Sequence, residues 1–127
     1  MHIKKPAIIL AHALVGWALC AATMGIGMAV TSQANALVIH AVAAPIFFAT
    51  LSWHYFTRFH YTSPLRTAVI FTSFVIVVDF FVVALAILHS LDMFASPLGT
   101  WIPFALIFLS TALTGQAVQR SRLAAAA

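Results

Sequence analysis

Acid is the scarcest component of this sequence: of 127 residues only Asp79 and Asp92 are acidic, and charged residues of both signs make up 6% of the chain. A soluble fold would have almost nothing polar with which to cover itself, so the ordinary globular class is excluded. Cysteine occurs once, as Cys20, which rules out an intrachain disulfide and leaves the redox compartment open. There is no polar stretch long enough to form an extramembrane module. Nor is there a nucleophile paired with a base, a phosphate-cradling glycine loop or a cluster of carboxylates, so an enzyme is disfavoured and no metal site is expected. The net charge of +4 arises from six basic residues at the chain ends and in one loop. They do not form a surface that would read nucleic acid; anionic lipid headgroups are the expected partners, together with the bilayer itself.

What is abundant is apolar: 64% of the residues. They fall into four runs, each near the twenty residues a spanning helix needs. The chain therefore reads as a single integral membrane domain over 1–127, all-α, with helices at roughly 7–30, 36–55, 64–89 and 97–118. The first run begins like a secretory signal, and Ala34-Asn35-Ala36 resembles a cleavage site. Its apolar part is about twice the length of a signal core, which favours a retained helix. On that helix His12, Gly16, Cys20, Thr23 and Gly27 share one face, a strip of small residues suited to close helix contact or, beside His12, to admitting a flat cofactor. In the second helix Pro45 is expected to kink the chain beside His40, while Trp53 and Tyr55 mark an aromatic exit at headgroup level. Ser63-Pro64 and Ser96-Pro97 each pair a hydroxyl cap with a proline suited to the first helical position.

Lys4, Lys5, Arg58, Arg66, Arg120 and Arg122 all fall on one side of a four-span arrangement, and none falls in the other two turns. By the positive-inside rule both termini are then cytoplasmic, and short turns favour an up-down-up-down bundle.

Against this background Asp79, inside the run FVIVVDFFVVALAILHS at 74–90, is the outstanding position. An acid near the bilayer midplane costs roughly 3 kcal/mol on insertion scales and is a functional candidate. On a uniform α-helix Asp79 shares a face with Thr72, Ala86 and Ser90. Its depth differs from that of His40 by about 6 Å. Asp79, His40 and Thr72 are therefore the expected ligand or proton-relay residues, with Asp79 meeting His40, and with a homo-oligomer or partner membrane subunit supplying the remaining helices that transport needs.

The remaining histidines suggest a different chemistry. His12 and His54 lie at one level, His40 and His89 at the other, and His40 and His54 are fourteen residues apart, about 21 Å along the axis. This layering resembles b-type cytochromes that hold two haems between helices. The resemblance implies axial ligation by His12, His54, His40 and His89 and an electron-carrier function, with haem b as an alternative to having no cofactor. The segments YTSPL at 61–65 and SPLGTWIP at 96–103 are similar to those of small bacterial four-helix integral membrane proteins. That similarity implies a bacterial inner-membrane location and no particular activity. The leading expectation is a non-enzymatic multi-pass protein that binds or conducts a small ligand, an ion or a proton.

Overall fold

The computed structural model describes residues 4–126 and is all-helical. Helix α1 spans Lys4–Val30, α2 Gln33–Arg58 and α3 Pro64–Val78. Helix α3 continues as a π-helix over Asp79–Ile87. A 3₁₀ turn at Asp92–Ala95 and a π-helical turn at Pro97–Trp101 then lead into α4, Ile102–Ala126. Four helices, Lys4–Val30, Gln33–Arg58, Pro64–Ile87 and Pro97–Ala126, are long and apolar enough to cross a membrane.

The helix starts follow from hydroxyl chemistry. Ser63 Oγ accepts the Arg66 amide at 3.3 Å and Ser96 Oγ the Gly99 amide at 3.0 Å, each with a proline next in sequence. Both satisfy donors that a helix N-terminus leaves orphaned. Ser32 does the same for Asn35 at 3.1 Å, so α2 begins at Gln33 and not near residue 36. At the other extreme the terminal alanines stay helical to Ala126, as the strongest helix former allows.

Helix packing relies on small residues. On α1 the buried positions are Ile9, Ala13, Gly16, Cys20 and Gly27, which include most of the expected strip. A Cβ at Gly16 would come within 3.0 Å of three atoms of the Phe48 ring, and one at Gly115 would crowd Phe56 and Pro64 as closely. In lipid such close approach replaces the hydrophobic effect as the source of association. The large side chains Leu14, Val42, Val69 and Leu109 point outward instead.

Helix α2 packs against α1 and α4, and α3 packs against α4 and, less extensively, α1. Helices α2 and α3, although consecutive, therefore lie across the bundle from each other. They meet through large rings at the centre, Phe48 with Phe71 at 6.0 Å and Tyr55 with Phe71 at 6.1 Å. The connection at 59–63 spans this diagonal.

Two sequence expectations change here. Trp53 is 59% exposed, as an interfacial ring should be, but Tyr55 is fully buried because its hydroxyl finds Thr62 Oγ1 at 2.8 Å inside the protein. A buried phenol needs such a partner. The uniform face through Asp79 and Ala86 is also lost. The buried position is Ala84, while Ala86 is exposed, because the wider π turn brings residue i+5, not i+7, back onto the inner face.

Candidate functional site

Asp79 lies where α3 changes from α to π geometry. Its carboxylate Oδ1 accepts a 2.9 Å hydrogen bond from Trp17 Nε1 of α1. This contact replaces the expected meeting with His40. The reason is architectural: His40 is on α2, diagonal to α3, whereas α1 packs directly against α3. His40 Nδ1 and Thr72 Oγ1 are buried without a hydrogen-bond partner, as are Ser52 Oγ and Thr111 Oγ1. Orphaned polar atoms in an apolar interior cost about 1–3 kcal/mol each. The bundle interior thus offers hydrogen-bonding groups from α2, α3 and α4 that the protein itself leaves unused.

Near the basic end, His12 and His54 form a second site. His12 Nε2 and His54 Nδ1 are 2.9 Å apart, and the rings stack at 5.2 Å between centroids. Tyr55 and Phe59 present their edges to His12 at 5.5 and 5.6 Å. The tautomers follow from what each partner can do. Ile8 carbonyl, 2.8 Å from His12 Nδ1, can only accept, so Nδ1 carries a proton. Nε2 of neutral His12 is then the acceptor and His54 Nδ1 the donor. A second net proton would place hydrogens on both facing nitrogens and break the contact. Nitrogen NMR of ring-labelled protein at neutral pH is expected to show His12 protonated at Nδ1. Finding neutral His12 protonated only at Nε2 would contradict this assignment.

A hydroxyl chain continues from the same level. Tyr55 meets Thr62, Thr62 meets Thr67, and Thr67 Oγ1 donates to the Ser63 carbonyl at 2.8 Å. It ties the end of α2 to the start of α3 across the diagonal.

These positions bear directly on the haem reading. His12 and His54 are brought to one level, as the layering implied, but they bond to each other. Two imidazoles sharing one iron stand about 4 Å apart, twice a metal–nitrogen bond of about 2 Å. The clearance at Gly16 is filled by the ring of Phe48. In this arrangement the residues do not fit a macrocycle. His89, two residues past the π-helix, is exposed with φ of 54°; among the described residues no hydrogen bond or ring contact joins it to His40 as a second pair. Asp92 is also exposed, and among the described residues no group of three or more His, Cys, Asp or Glu side chains could hold a metal.

Family models, curated proteins and solved structures give no match to this chain.

Trp17 and the Tyr55–Thr62–Thr67 chain are the participants that sequence patterns missed. A tryptophan inside an apolar helix has no periodic signature. Only the neighbouring helix makes it a partner.

Proposed function

We propose that this chain is a non-enzymatic multi-pass membrane protein of the bacterial inner membrane that binds or conducts a proton or a small polar ligand at Asp79. The observation that carries the reading is the placement of this acid. It is held by the Trp17 indole at the first residue of a nine-residue π-helix, within a span long and apolar enough to cross a membrane. π-helical segments recur at functional sites, and intramembrane acids mark ion and proton pathways. His40 and Thr72 belong to the same reading as buried polar groups whose Nδ1 and Oγ1 have no hydrogen-bond partner within the protein. Four helices are few for transport, so the working form is a homo-oligomer or a complex with a partner membrane subunit.

An up-down-up-down course with both termini cytoplasmic accompanies this proposal. It is supported by contacts that run in opposite order along α1 and α2: Gly27 with Ala36, Gly16 with Phe48, His12 with His54. The six basic residues then face the cytoplasm. A reporter active only in the periplasm should stay silent when fused after Arg122 and be active when inserted at Ser32. The reverse pattern overturns the orientation.

The functional test is a pH jump across vesicles containing the purified protein and an entrapped pH indicator. Proton entry faster than in empty vesicles, or a pH-dependent ligand uptake, is expected. Neither, in oriented and folded protein, removes the proposal. An absorption spectrum of the same preparation, expressed with ample haem, decides the two-haem alternative, since a Soret band would displace the Asp79 reading.

A further inference from the structure

Among the described residues, the six cations of this chain have no acidic side chain near them. The starts of α1 and α3 and the ends of α2 and α4 converge, as Lys5 over the Tyr61 ring at 5.4 Å, Arg122 on the Phe56 carbonyl, and Gly115 against Pro64 show. Both acids lie elsewhere, Asp79 within a span and Asp92 in the turn after the π-helix. Between these ends is a half-open cavity of about 270 Å³ lined by His60, Tyr61, Ser63, Gln119 and Arg122 among others, with no acidic residue in its wall.

We infer that this cavity is a binding site for a phosphate group, carried by an anionic lipid headgroup or by a small phosphorylated solute. Three features of the wall support it. Arg122 uses one nitrogen to donate to the Phe56 carbonyl, which fixes the side chain beside the cavity and leaves donors of its five-donor fork for an anion. His60 adds a ring that can donate, from a backbone held at φ 41°. Ser63, Tyr61 and Gln119 add neutral donors suited to the remaining phosphate oxygens. Gly115, also in the wall, lets α4 pack closely there, since a Cβ would come within 3.0 Å of Phe56 and Pro64. The site is separate from Asp79, and its test does not depend on transport.

The test uses the full chain in detergent, with native mass spectrometry counting retained lipid. Phosphatidylglycerol is expected to stay bound under activation that strips phosphatidylcholine of the same acyl chains. Arg122→Gln should lower phosphatidylglycerol retention by about tenfold or more, the loss of a charge-assisted hydrogen bond to the phosphate. His60→Asn, which keeps a residue tolerant of positive φ, should lower it less. Arg120→Gln removes the same charge outside the cavity wall and should leave retention within about twofold of wild type. If millimolar inorganic phosphate displaces the lipid, or binds with the same Arg122 dependence, a soluble phosphate compound is the ligand; if it does neither, the headgroup is. The inference is overturned if Arg120→Gln costs as much as Arg122→Gln, or if folded Arg122→Gln and His60→Asn both retain lipid like wild type.

Discussion

Replacing Asp79 by asparagine should abolish pH-driven flux or ligand uptake while leaving the fold intact or more stable. The amide oxygen of asparagine can still accept the Trp17 N–H, so the contact that joins α1 to α3 survives. What disappears is the group that can gain and lose a proton. Because a charged acid near the midplane costs roughly 3 kcal/mol on insertion scales, thermal unfolding in detergent should move upward, not downward. Trp17→Phe is the complementary change. It keeps an aromatic ring, though a smaller one, and removes the donor, so stability should fall by at least about 1–3 kcal/mol, the cost of stranding a half-buried polar group, with activity reduced but present. The pair of variants separates chemistry from architecture. An Asp79→Asn protein with wild-type flux would leave the aspartate with only its structural bond to Trp17.

Gly16→Val is expected to be the most damaging apolar substitution. The ring it would strike, Phe48, is fully buried and backed by Phe71, so neither ring nor helix can yield cheaply. Overpacking of this kind costs about 1–3 kcal/mol and more where two helices must separate. Gly25, on the same helix, has nothing within 4 Å of an added Cβ. Gly25→Ala should therefore stabilise by up to about 1 kcal/mol through helix propensity alone. Denaturation of the two variants in mixed detergent micelles measures both. Equal effects at the two glycines would mean that α1 and α2 do not pack through Gly16.

That there are four helices, and where the third and fourth begin, could be read from the sequence because these depend on local hydropathy and on caps such as Ser63-Pro64; α4, expected to end near 118, runs on to Ala126. The facing of α1 was also legible, since Gly16, Cys20 and Gly27 form a periodic strip. Which helix lies beside which was not. A connection as short as 59–63 suggests adjacency of α2 and α3, yet it spans a diagonal here, and that arrangement gives Asp79 a tryptophan for a partner in place of His40. The same limit applies to Tyr55, whose ring resembles an interfacial anchor until Thr62 is seen to meet its hydroxyl. Side-chain identity along one helix carries no information about the helix across from it.

The π segment has one more implication. Phe71, Val75, Asp79 and Ala84 form its inward line, with steps of four, four and five residues. A regular α-helix would keep that line with a final step of four. The segment thus behaves as an ordinary helix that has absorbed one surplus residue immediately after its acid. Deleting one position between Phe80 and Val83 would let the turn rewind while Asp79 and Ala84 both stayed inside. Such a shortened chain would hold the aspartate in a conventional helix and reveal what the extra residue contributes.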